Sequence, residues 1–430
     1  VSQQDTQSVS QQEKERERSM DVTGRRRKVL VHVGTPKTGT SHLQDVLFRN
    51  QAVLAEQGVN YPAERFDAHF LAALDLMQLP WAGLEQEAVG AWDRLAEQVR
   101  DFDGTSIVSH EILAKASRTQ VDRALSSFGD AEVHVLLSVR DLVRQIPAEW
   151  QENVKHRAQL SYADFLATIQ DPERKGRIGS WFWSVQEIPD IINRWGASLP
   201  PERIHLITVP PPGAPRDELW NRFSRAFGLD GLEGLDLTPE RVNPSMGVPE
   251  TTLVRRINRQ VHRVLPPEHY RPLVRELLAH QTLSQNSRSP RLSLPPSLEP
   301  WTMDLSRTWV EEIKARGYDV VGDVDDLLGV PSGLSQEEWV DPDRPGAASV
   351  NRASLDAIEA LLLEAARLRD LNADLERQLH DTREALDRSY LRPSYKAREK
   401  AVNKLQGSRP GRASLEVYRR LRGGVNSLSA

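Results

Sequence analysis

From Val29 onward the chain alternates short, dense apolar runs with longer stretches in which apolar residues recur every three or four positions. The runs VLVHV (29–33), TSIVS (105–109), EVHVLLSV (132–139) and RIHLITV (203–209) are rich in Val, Ile and Leu, as strands covered on both faces should be. Helix-sized segments occupy 40–56, 84–100, 117–127 and 141–156. This alternation predicts an α/β fold, a three-layer sandwich around a mostly parallel central sheet, with ligands gathered at the carboxyl ends of the strands. Residues 215–330 read as mainly helical, interrupted by the proline-broken loop RSPRLSLPPSLEP and closing on GYDVVGDVDDLLG.

Outside this region the pattern changes. Residues 1–27 are polar and almost free of large apolar side chains, which predicts a disordered lead-in to a domain over 28–335. A linker over 336–351 follows, and then one long amphipathic helix over 352–390. Leu355, Ile358, Leu362, Ala365, Leu368, Leu371, Leu375, Leu379 and Leu386 stand there at three- and four-residue steps. Such a helix either packs back on its own domain or pairs as a coiled coil in a homodimer, although the heptad slips after Leu375. Residues 391–430 read as a flexible basic tail, with ten lysines and arginines against two glutamates between 392 and 422. The alternatives for it are a solvated tail and a peripheral contact with acidic lipid.

Composition removes several function classes. The 430 residues include no cysteine, which excludes a disulfide framework, a thiolate metal site and a cysteine nucleophile. A net charge of −5 predicts no general affinity for nucleic acid. No apolar run approaches the length of a transmembrane segment, and the N-terminal stretch lacks the apolar core of a signal peptide, so the expected location is the cytoplasm.

The chemistry concentrates in VLVHVGTPKTGTSHLQDVLF, residues 29–48. A strand ending at Val33 and a helix starting near Thr40 leave the first N–H groups of that helix open. Gly34 and Gly39 let the backbone curl those groups around an anion, while Thr38, Thr40 and Ser41 add hydroxyl donors. The pattern has the outline of a nucleotide triphosphatase loop, but no lysine follows the second glycine, and Lys37 projects from within the loop. The strand EVHVLLSV ends on Arg140 where a metal-binding acid is expected, with Asp141 only afterwards. A cation at that strand tip suggests a second anionic group on the ligand and no metal.

PKTGTS (36–41), followed about a hundred residues later by the strand and helix VLLSVRDLVRQIPAEW, resembles the sulfotransferase family. FWSVQEIPDIINRW, RVNPS (241–245) and GYDVVGDVDDLL resemble its bacterial carbohydrate-type members, and the likeness covers about residues 29–330. The resemblance implies a P-loop NTPase-like fold and 3′-phosphoadenosine 5′-phosphosulfate as sulfuryl donor, without a metal. It implies that Pro36, Lys37, Thr38, Gly39, Thr40 and Ser41 hold the 5′-phosphosulfate, that Lys37 neutralises the bridging oxygen, and that Arg140 pairs with the 3′-phosphate. One departure stands out: the family's serine eight positions after this arginine is Ala148 here, leaving Arg144, Gln145 or a backbone group to substitute.

The acceptor, a hydroxyl or amine of a carbohydrate, lipid or small metabolite, needs a base. Family members place a histidine or glutamate just past the strand TSIVS, where this chain has His110 and Glu111. Histidine titrates near neutrality unaided, whereas a glutamate needs its pKa raised by burial, and either side chain is also suited to capping the helix that follows. Trp150, Trp181, Trp183 and Trp195 are suited to stack on a sugar ring or to fill the core. Asp323, Asp325 and Asp326 lack EF-hand spacing and read as a solvated turn, and RKGRIGSW (174–181) reads as a chance likeness to a nucleotide-binding stretch. The rival functions are a P-loop kinase or triphosphatase that recruits Asp141 to magnesium, and a non-catalytic scaffold working through the C-terminal helix.

Overall fold

The computed structural model describes residues 27–81, 83–238, 245–286, 288–391, 393–407 and 410. They belong to two compact units, one ending at Ala357 and the other beginning at Ile358.

Among the described residues the first unit has six strands: β1 (Lys28–His32), β2 (Val59–Asn60), β3 (Thr105–Ser109), β4 (Glu132–Val139), β5 (Ile204–Thr208) and β6 (Asp319–Val321). Their order in the sheet is β2-β3-β1-β4-β5-β6, and every neighbouring pair is parallel. The four apolar runs of the sequence are therefore its four inner strands. The chain places β2 and β3 on one side of β1 and then β4, β5 and β6 on the other, so the carboxyl end of β1, between those of β3 and β4, is the topological switch point.

Alternate residues of each strand face opposite sides. Leu30, Ile107, Leu136 and Ile207 pack with Leu43 and Leu47 of the helix Thr40–Arg49 and with Phe223 and Phe227 of the helix Glu218–Phe227. On the other face Gly196, which ends the helix Ile188–Gly196, comes so near Ile204 that a Cβ there would meet its Cδ1 at 2.3 Å. Helices thus cover both faces, consistent with a three-layer α/β arrangement. Each fully buried leucine or phenylalanine contributes about 1.5–3 kcal/mol by leaving water.

Differences from the sequence reading lie at the edges. The expected helix over 84–100 begins at Ala91, because turns fill the residues before Gly90. The helix expected over 40–56 is divided at Asn50. Strands β2 and β6 were not expected. The expected linker over 336–351 already turns helical at Ala347, from which one helix runs to Leu391. In the second unit the stretch read as a basic tail carries the helix Pro393–Gln406. The expected lead-in over 1–27 lies outside the described residues apart from Arg27. No helix among the described residues is long and apolar enough to cross a membrane.

Candidate functional site

The chain leaves β1 through Val33 into the loop that precedes the helix Thr40–Arg49. Gly34, Lys37 and Gly39 have φ of 118°, 67° and 91°. Only glycine adopts such angles freely, so Lys37 sits at a strained point of the curl. Gly34 has a second reason to be glycine: a Cβ there would lie 2.7 Å from the carbonyl oxygen of Glu111. The loop is sewn to β4, with the Thr35 N–H donating to Ser138 O (2.8 Å) and the Ser138 N–H to Gly34 O (2.6 Å). Gly39 starts the helix without a side-chain cap, and its first turn contains no acidic residue. The open N–H groups and the positive end of the helix dipole are thus available to an anion.

The residues of PKTGTS take different parts. Thr38 is buried, its hydroxyl bonded to Thr35 O and to the Ser138 hydroxyl, both at 2.6 Å, so it shapes the loop and its side chain offers no free donor. Thr40 is buried as well, whereas Ser41 is exposed. Pro36 O accepts from Gln145 Nε2 at 2.5 Å. The Lys37 ammonium pairs with Glu152, and the Lys37 carbonyl accepts from Arg140 at 3.3 Å. Lys37 and Arg140, widely separated in sequence, therefore converge on one loop.

Arg140 Nε is buried and has no hydrogen-bond partner. Burial, reinforced by Arg144, pushes the Arg140 guanidinium down to about 10, which still leaves it charged at neutral pH. An orphaned N–H on a buried cation is the kind of group that an anionic ligand satisfies. Asp141 is engaged: it caps the helix Leu142–Lys155 by accepting the Arg144 N–H at 3.0 Å, and it pairs with the Arg144 side chain. Arg144 also donates to Pro210 O (2.9 Å) and Val209 O (3.4 Å). Ala148 has no hydroxyl, and both side chains considered as its substitutes are occupied; Gln145 keeps only its Oε1 acceptor unpartnered.

Sequence reasoning missed the face of the helix Leu142–Lys155 that meets this loop. Gln145, Glu149, Glu152 and, at its C-cap, His156 follow one another at four-, three- and four-residue steps, the spacing of one helix face. Glu152 pairs with Lys37, with His156 (3.2 Å), with Arg275 (3.5 Å) from the π-helical segment Arg271–Leu283, and with Lys155 (3.9 Å). Burial acts to raise its pKa, but the surrounding cations, Lys37 foremost, hold it well below the usual carboxylate range. Glu149 is buried and accepts from Gln186 Nε2 at 2.8 Å. Burial, with the like charges of Glu152 and Glu111, pushes it up to about 7 against the pull of Lys37.

β3 delivers the other side of the site. The His110 N–H donates to His32 O (3.1 Å), and His110 Nδ1 accepts the Ile112 N–H (3.3 Å), so this side chain caps the short 3₁₀ helix Glu111–Lys115. Its Nε2 stands 4.0 Å from Glu111, and burial lowers its pKa. Glu111 accepts from Gln44 at 3.1 Å. Burial acts to raise its pKa, but His110, backbone and Gln44 hydrogen bonds and His32 outweigh it, and the carboxyl is lowered overall. Beneath the loop His32 bonds the hydroxyls of Ser109 (2.8 Å) and Ser138 (3.0 Å), tying β3, β1 and β4 together, and burial pushes it down to about 4.

An aromatic arc joins the two sides. The ring of His110 lies 5.0 Å from Phe70, Phe70 lies 5.5 Å from Trp81, and Trp81 reaches Trp181 (6.0 Å) and His156 (6.1 Å). His156 in turn meets Glu152, the partner of Lys37. Among the tryptophans singled out from sequence, Trp150, Trp183 and Trp195 are core residues. Trp181 is partly exposed, as is the unanticipated Trp81.

The lesser candidates are structural. Arg174 pairs with Glu187 and lies 4.5 Å from the Trp183 ring, ahead of the helix Gly176–Gln186. The aspartates at 323–326 are more than a solvated turn: Asp323 caps a 3₁₀ helix, Asp325 pairs with Lys314, and Asp326 binds Arg222 and Thr208. No cluster of acidic or histidine side chains suited to a metal occurs among the described residues. Only Ser245 of RVNPS is among them. A cavity of about 120 Å³ between Asp141, Arg144, Pro211 and Asp326 is too small for a nucleotide.

Compared with protein-family models, with curated proteins and with solved structures, the chain finds no match. Its class is therefore defined by fold and site alone: an α/β protein with an all-parallel six-stranded sheet, whose switch-point loop gathers Lys37 and Arg140.

Proposed function

We propose that this chain is a sulfotransferase, with a P-loop NTPase-like domain that moves a sulfuryl group from 3′-phosphoadenosine 5′-phosphosulfate to an acceptor hydroxyl without a metal. The observation that carries this reading is the convergence of two cations on the switch-point loop, Lys37 within it and Arg140 donating to the Lys37 carbonyl. A doubly anionic ligand suits that pair, and the orphaned Arg140 Nε gives its second anionic group a partner. The phosphotransfer alternative needs an acid free for magnesium, and Asp141 is committed to Arg144 and to its helix cap.

The donor, when bound, supplies an activated sulfur–oxygen bond, which breaks as the acceptor oxygen bonds to sulfur. The chain's own groups do the rest. Loop N–H groups and the helix dipole hold the 5′ group in line. Lys37 turns from Glu152 to offset charge on the departing bridging oxygen, a task for fixed electrostatics without covalent help. Arg140 holds the 3′ group through the bidentate geometry that lysine lacks. The acceptor's proton goes to His110, which burial keeps neutral, or to Glu111, which Gln44 orients but whose lowered pKa makes it the weaker base, while Phe70, Trp81 and Trp181 offer an angled apolar wall to the acceptor.

Calorimetry with adenosine 3′,5′-bisphosphate and with ATP, each with and without magnesium, tests this. Tight, metal-independent binding of the bisphosphate is expected, and magnesium-dependent ATP binding in its place would overturn the proposal. Lys37→Ala should weaken bisphosphate binding in this titration and, in a radiolabelled-sulfate transfer assay, lose sulfuryl transfer by two or more orders of magnitude, about the size of one lost electrostatic catalyst.

A further inference from the structure

The second unit begins inside the helix Ala347–Leu391. Val350, Ala353 and Ala357 in its first turns are buried, whereas from Ile358 to Tyr390 its side chains are exposed apart from the half-buried Ala360 and Glu364. Leu375 and Leu386 keep 53 % and 51 % of their surface in water. A single helix gains nothing from placing a row of leucines there.

The spacing of that row resolves when Leu355, Leu362 and Leu371 are set outside it. Counted from Ile358 as position a, alternate steps of three and four residues fall on Leu361, Ala365, Leu368, Asn372 and Leu375. They continue without slip through Leu379, Thr382, Leu386 and Ser389. The d positions of three consecutive heptads are thus leucine, and the row keeps the period of 3.5 that imposes a left-handed supercoil.

From this seam we infer that residues 358–389 form a parallel, in-register two-stranded coiled coil with a second copy of the chain. Two features select that occupant. Asn372 occupies an a position in mid-seam, where parallel pairing sets it against the same amide of the second copy, each offering the other a donor and an acceptor. An antiparallel pairing centred on the same seam would bury that amide against Leu375. One flanking pair agrees: Glu364 at g, which pairs with Arg367 in its own helix, stands five residues before Arg369 at e, the placement that joins opposite charges across a parallel pair. The inference does not depend on the sulfotransferase reading.

Sedimentation equilibrium of the full chain tests it. A mass twice that of one chain is expected, falling to the single-chain mass in the variant carrying Leu368→Glu and Leu375→Glu. A monomeric wild type, or a dimer that survives both substitutions, would overturn the coiled coil. Orientation has a clean readout because the chain contains no cysteine. Thr382→Cys, at a d position, should cross-link nearly completely to its own counterpart under mild oxidation, while Arg377→Cys, on the outer face, should not. If Thr382→Cys dimers fail to cross-link, the parallel register is wrong.

Discussion

At the scale of single residues, Glu149 has the most exposed consequence. Its raised pKa means that the fold favours the protonated carboxyl. The stability this carries is complete below the ordinary value of 4.5 and is lost as pH rises through about 7. A displacement of that size corresponds to on the order of 3 kcal/mol. Glu149→Gln keeps a carbonyl for Gln186 and cannot ionise, so its thermal midpoint should exceed that of the wild type at about pH 9 and match it near pH 5. Equal midpoints at both pH values would show that the carboxyl is not held protonated. Lys37 and Arg140 were legible in the sequence because a loop motif and a strand end marked them. Glu149, Glu152 and Trp81 were not, since the roles of these ordinary residues arise from whom they meet. The polar steps from Gln145 to His156 were the one available signal, hidden because acidic and amide residues on a helix face usually mean solvent.

At the scale of elements, strands β1, β3, β4 and β5 were readable because burial on both faces demands unbroken Val, Ile and Leu. β2, of two residues, is too short to carry a pattern, and β6 begins on an exposed aspartate at the sheet edge. The loop after β1 allows a comparison of its two glycines. Both have left-handed φ, but a Cβ at Gly39 would meet only the tip of Leu219, at 2.6 Å, whereas one at Gly34 would strike the backbone of Glu111 at 2.7 Å. A side-chain tip can rotate away and a carbonyl cannot. Gly34→Ala should therefore lower the urea-unfolding free energy by about 2–4 kcal/mol, and Gly39→Ala by about 1–2 kcal/mol. The reverse order would mean that the loop is not anchored to the Glu111 backbone.

At the scale of the whole molecule, the two units should respond to different variables. Under the proposed function ligand linkage acts on the first, and adenosine 3′,5′-bisphosphate at a hundredfold excess over its Kd should add about 2.7 kcal/mol of stability. Mass action governs the second, whose melting should follow protein concentration and ignore the nucleotide. A scanning-calorimetry trace in which the bisphosphate moves both transitions equally would show the units to be energetically one.

Gly34 lies so close to the backbone of Glu111 that a Cβ there would meet the Glu111 carbonyl oxygen at 2.7 Å. Under the proposed function this contact would join donor grip and proton removal at one point of the backbone, so that neither could be reshaped alone. On that same reading, efforts at retargeting should leave Ser109 to Glu111 untouched and recut the far wall at Phe70, Trp81 and Trp181, where changes would alter which molecule is sulfated without loosening the hold on the reagent that sulfates it.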